Sequence, residues 1–96
     1  MNQMQYVVSY DISSAKRRNK IAKELLNYGK RVQYSVFECD LSALRYKELY
    51  QKMLKLTEEM EDGNIRFYPL CKKCEERIAT IGEAPVGVED EEVVII

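Results

Sequence analysis

The sequence contains no histidine, which removes Ser/His/Asp and Cys/His catalysis, imidazole acid–base chemistry and His-ligated zinc. Carboxylates, tyrosines or a bound metal must carry any chemistry. It has only three cysteines, Cys39, Cys71 and Cys74, too few and too odd in number for a secreted disulfide framework, so reduced thiols are expected. No apolar run approaches the roughly 18 residues of a spanning helix, and 32% of residues are charged, so a membrane is not an expected partner. The opening MNQMQYVVSYDI lacks the basic start, long apolar stretch and small-residue cleavage site of a signal peptide. A cytoplasmic location is the expectation.

What the chain does have is 96 residues, 46% of them hydrophobic, enough for one domain with a modest core. Association with a second copy would add to the buried surface. The net charge of −1 conceals a polarised distribution. Residues 1–56 hold 11 Lys/Arg against 5 Asp/Glu, whereas residues 57–96 hold 4 against 11. Such asymmetry points to an anionic partner for the basic part.

Periodicity divides the chain into elements. Residues 4–12 alternate with β-branched and aromatic side chains and read as a strand. Ser13 and Ser14 are N-cap candidates for a helix whose stripe is Ile21, Ala22, Leu25, Leu26 and Tyr28, with Gly29 as its stop. Residues 31–40 read as one long strand or as two short ones with a kink near Tyr34 and Ser35. Ser42 caps a second helix striped by Tyr46, Leu49, Tyr50, Met53, Leu54 and Met60, expected to be core, which ends at the turn Asp62-Gly63-Asn64. Ile65–Leu70 is a short strand closed by Pro69, and Arg77–Ile81 is expected to form another ending at Gly82. The main unit is therefore expected over 1–82. Residues 83–96 combine an acidic linker with Val93-Val94-Ile95-Ile96, an apolar end expected to form a strand that docks on a sheet edge, across a dimer.

Asp11 ends the first strand just before the first helix, a place where α/β layers expose functional side chains. Its carboxylate has two readings, a turn or helix cap and a hard oxygen ligand for Mg²⁺ or another divalent metal. The cluster Lys16-Arg17-Arg18-Asn19-Lys20 follows in the first turns of the helix, where cations oppose the macrodipole at a cost of about 0.3–1 kcal/mol each. A phosphate cradle explains that placement, and a solvated basic face with the Arg18 stem over the core is the simpler alternative. A carboxylate for a metal beside donors for phosphate suits metal-assisted phosphodiester hydrolysis, and a dimer bringing two Asp11 together would supply the second carboxylate. Cys71-Lys72-Lys73-Cys74 supplies only half the ligands of a structural zinc, and its place after Pro69, late in the chain, does not match a thioredoxin-like redox motif, so it reads as a turn with two partly buried thiols, with a metal bridge between chains as the lesser alternative. Tyr10, Tyr34 and Phe37 read as core or interface, with base stacking as the other option.

VVSYDIS at 7–13, RRNKIAKEL at 17–25, YGKRVQYSVFECDL at 28–41 and IRFYPLCKKC at 65–74 closely resemble the CRISPR-associated protein 2 family, over about residues 4–82. The resemblance implies an α+β, ferredoxin-like βαββαβ sandwich that forms a homodimer, works in CRISPR adaptation and binds the CRISPR integrase, CRISPR-associated protein 1. It also implies a metal-dependent endonuclease acting on RNA or double-stranded DNA. Carried over by position, the metal-binding aspartate falls on Asp11, and Tyr10, Arg18, Arg31, Ser35 and Phe37 match the catalytic cleft. Lys16, Arg17, Arg18, Lys20 and Arg31 are the expected nucleic-acid contacts. Lys20 stands where some members have arginine, which keeps the charge without the bidentate fork. The rival expectation is a non-catalytic dimeric scaffold that bridges integrase units and follows the DNA backbone. A ferredoxin-like RNA-binding module ranks below both because the aromatic-rich RNP pattern is missing.

Overall fold

The computed structural model describes residues 3–82, so the expected linker and terminal strand over 83–96 lie outside the described residues. The elements are β1 (Met4–Asp11), α1 (Ala15–Leu25), β2 (Lys30–Gln33), β3 (Val36–Leu41), α2 (Ala43–Leu56), β4 (Asn64–Leu70) and the short α3 (Lys72–Glu75). The four strands form one sheet in the order β2-β3-β1-β4, with every neighbouring pair antiparallel.

Both long helices start where a serine satisfies a free backbone donor. Ser14 accepts from the Arg17 N–H and Ser42 from the Arg45 N–H, each at 3.2 Å. Strand alternation then sets the core. Val8 and Tyr10 of β1 and Phe37, Cys39 and Leu41 of β3 share one sheet face and pack against Ile21, Ala22 and Leu25 of α1 and Leu49 and Met53 of α2. The opposite face carries Val7 and Ser9 paired with Glu38 and Val36 on one side and with Tyr68 and Arg66 on the other. The two helices are tied together where Lys52 bonds Glu24 at 3.2 Å and the Arg45 guanidinium lies 4.3 Å from the Tyr28 ring centre.

Four expectations are corrected or decided. The segment 31–40 is two strands joined at Tyr34-Ser35, with an irregularity between Arg31 and Gln33. α1 ends at Leu25, so Gly29 is not its immediate stop; a Cβ there would collide with the Glu38 carbonyl oxygen and lie 2.6 Å from the Cys39 Sγ, and close approach to β3 is what demands glycine. Tyr50 and Leu54 are 41% and 51% exposed rather than core, because α2 turns only Leu49 and Met53 fully inward. Arg77–Ile81 is not a strand: residues 71–78 coil through α3, with Arg77 N–H bonded to the Cys74 carbonyl at 3.0 Å, and 78–81 join no ladder among the described residues.

A candidate phosphodiester site at the end of the central strand

The hairpin between β2 and β3 is pinned onto the end of β1. Tyr10 N–H donates to the Ser35 carbonyl at 3.1 Å, and the Tyr10 hydroxyl donates to the Tyr34 carbonyl at 3.2 Å. These two bonds hold Ser35 beside the residue that precedes Asp11. Asp11 itself is exposed and pairs with Asn64 of β4. Behind it, Gly63 adopts φ +95 and packs so closely that a Cβ would come within 2.6 Å of the Asp11 carbonyl oxygen. The Asp-Gly-Asn turn thus fixes the backbone that presents the carboxylate.

Tyr10 and Phe37 lie beneath this surface. Tyr10 is 6% exposed, Phe37 fully buried, and their rings sit 6.4 Å apart. Both support the site from the core side, and neither ring is open to solvent for stacking. Arg31, paired with Phe37 across the β2–β3 ladder, places its guanidinium carbon 5.2 Å from that ring's centre. Its Nε is buried without a hydrogen-bond partner. Arg18 folds back to the chain just after Asp11, with Nη1 donating to the Ile12 and Ser13 carbonyls at 3.0 and 2.9 Å. Of the expected site residues, Arg18 and Ser35 are thus held against the chain on either side of Asp11, with Tyr10 beside it, whereas Arg31 and Phe37 lie level with Val8, farther back along the sheet.

The remaining basic residues face elsewhere. Arg17 reaches the far end of α2, its Nη1 donating to the Leu56 carbonyl at 2.7 Å and to the Glu58 carbonyl at 3.3 Å. That contact explains a cation in the first turn of α1: it caps the carbonyl end of another helix. Sequence reasoning missed it, because the partner lies 39 residues away. Lys16, Arg17 and Lys20 line a groove of about 400 Å³ together with Lys55, Ser14, Glu58 and Glu59. Lys55 was also missed, although its position in the last turn of α2 marks it as a dipole-complementing cation.

The family model for CRISPR associated protein Cas2 matches residues 4–78. The CRISPR-associated endoribonuclease Cas2 1 of Chloroflexus aurantiacus is 46% identical over 93 residues, which span 97% of this chain and 100% of the relative. Among solved structures, Streptococcus pyogenes Cas2 at pH 6.5 superposes with a TM-score of 0.72 at 33% identity, covering 82% of this chain and 100% of that one. A chain of a partial Cas6-RT-Cas1–Cas2 complex gives a TM-score of 0.71 at 32% identity, covering 88% and 97%. The chain belongs to the CRISPR-associated protein Cas2 family.

Proposed function

We propose that this protein is a cytoplasmic, homodimeric, divalent-metal-dependent endonuclease of the CRISPR adaptation complex, working beside the integrase CRISPR-associated protein 1. The observation that carries the reading is the exposed Asp11 at the end of β1 with Arg18 and Ser35 held against the residues on either side of it, in a chain of this family. The endoribonuclease named in Chloroflexus aurantiacus and the likeness to a chain of a Cas1–Cas2-containing assembly support activity and partner respectively. The strand order, read from the other edge as β4-β1-β3-β2, with helices after β1 and β3, supports a ferredoxin-like fold. No helix among the described residues is long and apolar enough to cross a membrane.

The donor chemistry fits half of a Mg²⁺ site. A hard cation takes one or two carboxylates and completes its shell with water and phosphate. Asp11 offers one exposed carboxylate, and no group of three His, Cys, Asp or Glu residues gathers among the described residues. Two copies meeting at this end would present two carboxylates. Asp11 would hold the ion, which when bound would supply charge neutralisation at phosphorus and a more acidic water. The Arg18 guanidinium beside Asp11, and the half-buried Arg31 farther along the sheet, would add positive charge for phosphate. The hydroxyl of Ser35 is a further donor toward substrate, held in place by the Tyr10–Ser35 backbone bond.

The test compares wild type with Asp11→Asn on labelled RNA and on duplex DNA, with and without Mg²⁺. Hydrolysis should fall by orders of magnitude while fold, dimer and nucleic-acid binding persist, because the amide keeps the size and removes the charge the metal needs. Cleavage at the wild-type rate would remove Asp11 from the reaction. The scaffold reading remains as the alternative, favoured by the likeness to a chain of an integrase-containing assembly. It predicts that Asp11→Asn leaves spacer integration by the complex intact.

A further inference from the structure

Two sulfurs stand outside the site described so far. Cys71 and Cys74 are both exposed rather than partly buried, and they belong to one well-bonded turn. The Cys71 carbonyl accepts the Glu75 N–H at 2.8 Å and the Cys74 carbonyl accepts the Arg77 N–H at 3.0 Å. Residues three apart on such a turn have their Cβ atoms about 5–6 Å apart. A disulfide requires Cα atoms roughly 4.4–6.8 Å apart and a Cβ separation of roughly 3.5–4.5 Å, which a small closure of the turn supplies.

The two thiols are not equivalent. Cys71 stands at the N-cap of α3 without a side-chain cap hydrogen bond, and the nearby Cys74 N–H, then the Cys74 thiol, hold its thiol below the ordinary range. Cys74 is pushed up, first by the neighbouring Cys71 thiol. The third cysteine is a contrast: burial first, then the carboxylate of Glu38, pushes the Cys39 thiol up to about 11, and its side chain has no exposure. A low, accessible thiol beside a second accessible thiol is the arrangement that exchanges with disulfides.

We propose that Cys71 and Cys74 form a thiol–disulfide exchange site for small aliphatic disulfides of the glutathione class, with Cys71 as the attacking sulfur and Cys74 as the resolving one. The Cys71 thiolate attacks one sulfur of the disulfide; that S–S bond breaks and the first small thiol leaves with a proton from solvent. Cys74 releases its proton to solvent and attacks the Cys71 sulfur of the mixed disulfide, forming the internal bond and expelling the second small thiol. The protein dithiol loses two electrons and the small disulfide gains them. A structural zinc is the poorer assignment, since it needs four ligands and this turn provides two, with no cluster of three ligating side chains among the described residues.

The pair sits far from the phosphodiester site. Leu70, the residue before Cys71, pairs with Gln5, whereas Asn64 at the other end of β4 pairs with Asp11, a separation of about 20 Å at roughly 3.4 Å per strand residue. The exchange chemistry stands independently of the nuclease reading.

The full chain, equilibrated across a series of reduced to oxidised glutathione ratios, acid-quenched and alkylated, should lose two alkylation sites together, as read by mass spectrometry. Cys39 should stay reduced throughout. In Cys74→Ser, Cys71 should be trapped as a mixed disulfide with one glutathione, and in the wild type limiting alkylating reagent should label Cys71 before Cys74. Independent glutathionylation of both residues with no internal bond would overturn the proposal. So would labelling of Cys74 ahead of Cys71 in the wild type, or protection of both thiols by zinc that a chelator must first remove.

Discussion

Arg17 shows how one side chain reconciles charge and fold. A cation in the first turn of α1 faces the wrong end of that helix's dipole, yet its guanidinium spans to the last carbonyls of α2, where the dipole favours it. Hydrogen bonds from a charged donor contribute about 1.5–3 kcal/mol when shielded, and Arg17 is only half-buried. Arg17→Gln should therefore lower stability by about 1 kcal/mol, visible as a drop in melting temperature. Lys16→Gln with Lys20→Gln should leave the melting temperature unchanged, because both side chains are exposed. The double variant should instead flatten the dependence of duplex affinity on salt, by about 0.9 of a log unit per lost phosphate contact. An unchanged slope would mark the two lysines as a solvated face. The sequence showed that these cations were misplaced for stability within α1, but a carbonyl partner 39 residues away has no local signature.

At the scale of elements, legibility tracked how local the cause is. The serine caps, the period-2 strands β1 and β4 and most of the inward stripe of α1 follow from neighbours a few residues apart and could be read directly; Leu26, placed on that stripe, is 56% exposed. Gly29 was read as a helix stop because glycine commonly ends helices, whereas its actual constraint is the approach of β3, set by tertiary packing. Gly29→Ala should cost roughly 1–3 kcal/mol through overpacking against Glu38 and Cys39. For a domain this size each kcal/mol shifts the melting temperature by roughly 4–8 °C, so circular dichroism melts resolve the effect. An alanine variant melting like wild type would show that β3 can yield. Arg77–Ile81 failed for the complementary reason. Its residues suit a strand, but a strand exists only where an edge receives it, and the edge is not written in the segment itself. Ile78 and Ile81 consequently stand 44% and 87% exposed.

Among the described residues, Asp11 is the one exposed carboxylate at the proposed metal site, and several apolar side chains are exposed, Tyr68 and Ile81 among them. The proposed two-fold dimer would address both, because an isologous interface presents the same residue from each copy and buries the same apolar patch twice. The apolar Val93-Val94-Ile95-Ile96 end is the segment whose composition best suits pairing with a partner's sheet edge. Truncation after Gly82 should then weaken the dimer, and cleavage should become steeply dependent on protein concentration, recovering when the truncated chain is concentrated enough to associate. Light scattering at low micromolar concentration and cleavage rates over a dilution series read the two effects separately. An unchanged dimer would show that the tail is not part of the interface. A truncated monomer that cleaves at full rate at every concentration would show that a single Asp11 suffices, and that the pairing of carboxylates across copies is not what makes the site.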